Sequence, residues 1–111
     1  MTQDKIKEVV EKLAAEAKGM FGSELKSVVL YGSCARGDFT SDSDIDVMIL
    51  LDIPVEELEA ARKQISDISS KLDWDYDVVL TPVLQSYQIF LKYMSASAFY
   101  QNVQREGVLI A

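Results

Sequence analysis

Apart from Asp46, every residue from Ile45 to Leu51 is apolar. A run this short and this apolar reads as a buried strand rather than a helix. A buried strand needs neighbours and covering layers. Val28-Val29-Leu30, within Ser27 to Tyr31, is a second such run and stops at Gly32. Between and around these runs the spacing changes to that of helices. Ile6, Val9, Val10, Leu13 and Ala17 fall on one face of a first helix, with Gly19 and Gly22 marking its end. Pro54, followed by Glu56 and Glu57, opens another, with Leu58, Ala61, Ile65, Ile68 and Leu72 as its apolar stripe. Asp73 to Leu80 reads as a third strand, broken by Thr81-Pro82. Val83 to Met94 reads as a helix. A last helix containing Phe99 and Val103 has Ser95 or Ser97 as its cap and Gly107 at its end, and Val108 to Ile110 adds an edge strand. The order predicts an α/β (α+β) fold, with a small mixed β-sheet flanked by helices.

The 111 residues suit a single domain spanning 1–111, with 49% apolar residues for its core. A formal charge of −7 disfavours general nucleic-acid binding. The single cysteine, Cys34, allows no internal disulfide and fits a reducing cytoplasm. The absence of histidine excludes histidine bases, Ser-His-Asp triads and the usual zinc sites. No segment has the length of a transmembrane helix, and the N-terminus lacks the apolar core of a signal peptide.

Two sets of alternating aspartates carry the chemistry. Asp42-Ser-Asp44-Ile-Asp46 leads into the second strand and Asp73-Trp-Asp75-Tyr-Asp77 into the third. On a strand, Asp44 and Asp46 share a face, roughly 6.5–7 Å apart at Cα, and so do Asp75 and Asp77. If the strands are neighbours, their carboxylates meet and repel, and a divalent cation removes the conflict. Oxygen-only ligands favour magnesium or manganese. The plainer alternative, that aspartates mark turns, accounts for Asp42 and Asp73. It accounts less well for Asp46 and Asp77, each placed at the mouth of an apolar run. Asp44, Asp46 and Asp77 are therefore the candidate metal ligands, with Asp75 left as an alternative to Asp77. An EF-hand is excluded, since its glycine and glutamate positions hold Val47 and Ile53, or Val78 and Leu84.

Gly32-Ser33-Cys34-Ala35-Arg36-Gly37 follows a strand, and a short helix starting at Ser33 would aim backbone N–H groups at a phosphate. Ser33 adds a hydroxyl and Arg36 a guanidinium. Asp38 and Phe39 stand where a P-loop needs Lys and Ser or Thr, so this is not a P-loop. Taken alone, the turn is better explained as an ordinary tight turn with Arg36 paired to a nearby aspartate.

Together, Gly32-Ser33, ten intervening residues and Asp44-Ile45-Asp46 resemble the signature of the polymerase-β superfamily of nucleotidyltransferases, in its minimal form. Tyr76-Asp77-Val-Val-Leu is similar to the strand carrying the third carboxylate, and Asn102 to Val108 to the common C-terminal ending. The resemblance implies a polymerase-β-like fold and a metal-dependent enzyme that transfers a nucleoside monophosphate, AMP from ATP, to an acceptor hydroxyl. It implies that Gly32 and Ser33 hold the β and γ phosphates, that Arg36 supports them, and that Asp44 and Asp46 hold two Mg2+ ions (Mn2+ also suits). Asp77 would complete the second metal site and help deprotonate the acceptor. Cys34 stands where the family often has a basic residue. Minimal members are often paired with a small helical protein of the HEPN type in toxin–antitoxin modules. An antitoxin acting by binding, or by adenylylating a tyrosine of such a partner, is thus a second expectation, and a vestigial nucleotide-binding domain a third. Val83 to Met94 would serve either as a face for that partner or a second copy, or as core.

Overall fold

The computed structural model describes residues Met1–Ala111. Helix α1, Gln3–Phe21, starts where the Thr2 hydroxyl accepts the Lys5 N–H at 3.1 Å and ends at Gly22, whose φ of 56° leaves helical space. Strand β1 spans Leu25–Tyr31, the four-residue helix α2 Ser33–Arg36, and strand β2 Ile45–Leu51. Helix α3 runs Leu58–Tyr76 and is followed by strand β3, Leu80–Ser86. Helices α4, Tyr87–Tyr93, and α5, Ala98–Glu106, lead to the short strand β4, Val108–Leu109. No helix is long and apolar enough to cross a membrane.

The sheet order is β3-β2-β1-β4, with β1 antiparallel to β2 and β4, and β2 parallel to β3. The central β2 explains its own sequence. Ile45, Val47, Ile49 and Leu51 face the main core beneath α1 and α3. Met48 and Leu50 face a smaller core with Phe90 of α4 and Val103 of α5. Asp46 is the one residue of β2 that is not fully buried. Helices thus cover both faces, as the mixed-sheet reading requires.

The third strand begins later than the sequence pattern suggests. Residues 73–76 are the last turn of α3, because the stripe ending at Leu72 continues to Tyr76, which packs on the main core. Alternating Asp-Trp-Asp-Tyr-Asp imitates a strand, yet Trp74 is 88% exposed, as the outer face of a helix allows. Asp75 and Asp77 accordingly do not share a strand face. Nor does Thr81-Pro82 break β3, since both residues lie within it. As an edge strand, β3 turns alternate N–H groups away from the sheet. The Leu80 N–H does so, bonding the Asp73 carboxylate at 2.8 Å. Pro82, two residues on, falls in the same outward series and costs no ladder bond. Residues 83–86 complete this strand, and α4 starts only where the Ser86 hydroxyl accepts the Ile89 N–H.

Candidate active site

β1 ends at Tyr31, directly across from Asp46 of β2. Gly32 then turns the chain with φ 73° and ψ −156°, a conformation reserved for glycine. Its carbonyl accepts the N–H groups of Ala35 and Arg36, both at 3.1 Å, which winds α2. Gly37 closes that helix in the left-handed region, its N–H on the Ser33 carbonyl. Gly32 lies against the Asp46 carboxylate so closely that a Cβ there would stand 2.5 Å from Oδ2. The glycine loop and the aspartate pair are therefore one site.

Within the loop, Ser33 is half-buried and Cys34 fully buried. The Cys34 thiol donates to the Asp44 carbonyl at 3.5 Å and fastens α2 to the residue before β2. Burial pushes that thiol above its ordinary value, which favours the protonated form. Thr40 and Ser43 close the intervening turn, Ser43 Oγ accepting the Thr40 N–H at 2.8 Å. Asp42 is exposed on this turn, in keeping with a turn role.

Asp44 is exposed and Asp46 half-buried. Burial, and then the Asp44 charge, holds the Asp46 carboxyl above the usual carboxylate range, while Arg36 acts in the opposite direction. Arg36 does not neutralise the pair. Its Nε bonds Asp38 Oδ2 at 3.2 Å and its Nη1 reaches Glu106 Oε2 of α5 at 3.5 Å. Tyr31 borders the pair and meets Phe99 of α5 edge to face, with ring centroids 5.6 Å apart. Two uncompensated carboxylates beside a glycine turn suit a divalent cation with oxygen ligands.

Asp77 does not join them. It caps α3 at φ 54° and ψ 53°, the one non-glycine residue with positive φ, and is exposed. With Ser41, Asp42, Ser43, Val79 and Met1 it borders a separate hollow of about 360 Å³. Asp75 faces the groove between α1 and α3, beside Lys12 and Lys71. No group of three or more acidic, cysteine or histidine side chains is arranged to hold a metal. The structure thus places Asp44 and Asp46 at the start of β2 and Asp77 at the end of α3, ahead of β3 rather than on it. Sequence reasoning missed Thr81, which lies beside Asp46 in the parallel ladder, and Glu106, which holds Arg36. Neither carried a local signal, since strand register and a contact across 70 positions are tertiary facts.

Known proteins agree with this architecture. The nucleotidyltransferase domain family matches residues 6–109. Two proteins of Methanocaldococcus jannaschii, each named "putative protein adenylyltransferase", are 35% and 29% identical. The first alignment covers 96% of both chains, the second 91% of this chain and 94% of the relative. Among solved structures, a toxin–antitoxin complex with AMP-PNP is similar at a TM-score of 0.59 and 22% identity, over 91% of this chain and 72% of that one. A Sulfolobus solfataricus protein, described as a nucleotidyltransferase, matches at 0.56 and 16%, over 96% and 80%. The fold is that of the polymerase-β-like nucleotidyltransferases, and the chain belongs to the nucleotidyltransferase domain family.

Proposed function

We propose that the chain transfers AMP from ATP to a hydroxyl of a partner protein, with a tyrosine as acceptor. The observation that carries this reading is the packing of Gly32 on the Asp46 carboxylate, which supports reading the glycine turn as the phosphate site and the aspartate pair as the cation site. The 35% identity to a protein named as a protein adenylyltransferase supports the nucleotide and the acceptor class.

Gly32 lets the triphosphate approach the backbone, and the Ser33 hydroxyl and N–H bind its terminal oxygens. Asp44 and Asp46 would hold Mg2+, for which Mn2+ is a chemical substitute. A cation bound there would screen the phosphates and stabilise charge on the attacking and leaving oxygens. Arg36 braces the loop through Asp38 and Glu106 and adds positive potential behind the phosphates. In the transfer, the acceptor hydroxyl gives up its proton to water, its oxygen bonds the α phosphorus, the bond from that phosphorus to the bridging oxygen breaks, and pyrophosphate leaves. Asp77 stands outside this assignment, at the end of α3.

A second reading is association with a helical partner protein, as in a toxin–antitoxin pair. Leu91, Tyr93 and Phe99 favour it, being 47%, 48% and 46% exposed on α4 and α5.

The two readings separate in one experiment. The chain and Asp44→Asn are incubated with Mg2+, extract of the source cells, and ATP labelled at either the α or the γ phosphate. Label from the α position alone, on a protein band and only with the unaltered chain, is the expected result. Label that persists with Asp44→Asn refutes the site, and absence of label leaves the binding reading.

A further inference from the structure

We propose that Phe99 of α5 is the platform on which the base of the bound nucleotide stacks, so that α5 as well as the phosphate loop holds the nucleotide. This rests on the nucleotide reading of the site.

Asp46 heads one face of the sheet. Alternate residues of a strand share a face, so Met48 and Leu50 lie on it too. Tyr31, paired with Asp46 across the ladder, points the same way. Further along, α4 and α5 cover this face, and Met48 and Leu50 pack with Phe90 and Val103. The Asp46 end is more open. Asp46 and Tyr31 are half-buried there, and Thr81, beside Asp46, is exposed.

Three contacts fix the course of α5 across the face. Gln85 of β3 donates to the Tyr100 hydroxyl. Val103 belongs with Met48 and Leu50 of β2. A Cβ at Gly107 would strike Val29 of β1. The helix therefore crosses from β3 to β1. Phe99, in its first turn, meets Tyr31 edge to face with centroids 5.6 Å apart. Tyr31 in turn neighbours the carboxylate: burial, and then the Asp46 charge, pushes its phenol above the ordinary value. Phe99 thus stands one ring away from Asp46, and it is the more exposed of the two rings. It is also held in place, because Tyr100 beside it is fixed by Gln85 and by Phe90, whose ring centroid lies 5.0 Å away. A ring already fixed loses little freedom when a base stacks on it.

With the terminal phosphates at Gly32 and Ser33 and the α phosphate beside Asp46, the nucleoside extends either into solvent or along this face. On the face it meets α5 at Phe99. Charge offers little else to hold it. The chain carries a net −7, and Arg36, the cation of the loop, is already paired with Asp38 and Glu106. Stacking of a base on an aromatic ring needs no cation.

Calorimetry with Mg2+ tests this by comparing ATP with inorganic triphosphate, which has no base, folding being checked by circular dichroism. Phe99→Ala should weaken ATP at least about fivefold and leave triphosphate within about twofold of the unaltered chain. Phe99→Tyr, which keeps a ring, should bind ATP within about twofold of the unaltered chain. A smaller loss of ATP in Phe99→Ala, or an equal loss of triphosphate, would overturn the proposal. A second readout does not depend on the alanine variant. Trp74 is the only tryptophan and is exposed on α3. In a Trp74→Phe background, Phe99→Trp places the sole indole at the platform, and ATP should quench its fluorescence where triphosphate does not. An equal response to both would overturn stacking. If the unaltered chain binds neither ATP nor triphosphate, the nucleotide reading itself fails.

Discussion

Replacing Gly32 by alanine perturbs the site where the loop meets the carboxylate, and its cost divides into two parts. The first is conformational. At φ 73° and ψ −156° the backbone occupies a region essentially closed to residues with a Cβ. The second is a collision, because the new Cβ would stand 2.5 Å from Asp46 Oδ2. That oxygen ends a short side chain, so the carboxylate rotates away instead of the backbone moving. The backbone strain is about 1–3 kcal/mol and a displaced rotamer adds about 0.5–1.5 kcal/mol, so Gly32→Ala should cost about 1.5–4.5 kcal/mol. For a domain of this size that lowers Tm by at least about 6 °C. A double-mutant cycle separates the parts. With alanine at 46, the nearest remaining atom is the residue's own Cβ at 3.5 Å, an ordinary contact. The strain should persist and the collision vanish, leaving a coupling of about 0.5–1.5 kcal/mol between the two positions in urea unfolding. A Gly32→Ala chain as stable as the unaltered one would refute the reasoning about the backbone. An equal penalty with aspartate or alanine at 46 would refute the contact.

Three further outcomes are expected. Asp77→Gly relieves a left-handed cap and should raise stability by about 1 kcal/mol in thermal unfolding. Burial holds the Asp73 carboxyl above its ordinary 3.8, the Leu80 N–H only partly offsetting this. The folded state therefore keeps this proton more readily than the unfolded chain, and stability is lost as pH rises from 3.8 through the folded value. Asp73→Asn, which keeps an acceptor for Leu80, should match the unaltered chain below pH 3.8 and exceed it at neutral pH, as unfolding midpoints against pH will show. Glu106→Gln breaks an exposed, solvent-screened ion pair. It should leave Tm nearly unchanged while freeing Arg36, tightening ATP by up to about fivefold in calorimetry.

What was legible in the sequence was local. The apolar run of β2, the glycine turn and the Asp44-Asp46 spacing each follow from neighbouring residues, and the structure brings them together. The cap of α5 was legible as one of two serines, Ser95 or Ser97, and Ser97 holds it. What was not legible depended on where a helix stops. Asp73 to Asp77 alternates like a strand, but Tyr76 extends the stripe of α3, and the tertiary contact of that ring decides the outcome. The two-residue periodicity of the aspartates thus carried no weight against burial of an aromatic ring. With the strand delayed to Leu80, its register against β2 became the determining fact for Thr81. Arg36 illustrates the same limit, because its partner Glu106 belongs to an element at the far end of the chain.

The most direct test is a crystal structure grown with Mn2+ and AMP-PNP, read by manganese anomalous scattering. The account predicts a peak bound by carboxylate oxygens of both Asp44 and Asp46, with the phosphates against Gly32 and Ser33. A peak in the hollow beside Asp42 and Asp77, or a nucleotide bound away from Gly32, would contradict it.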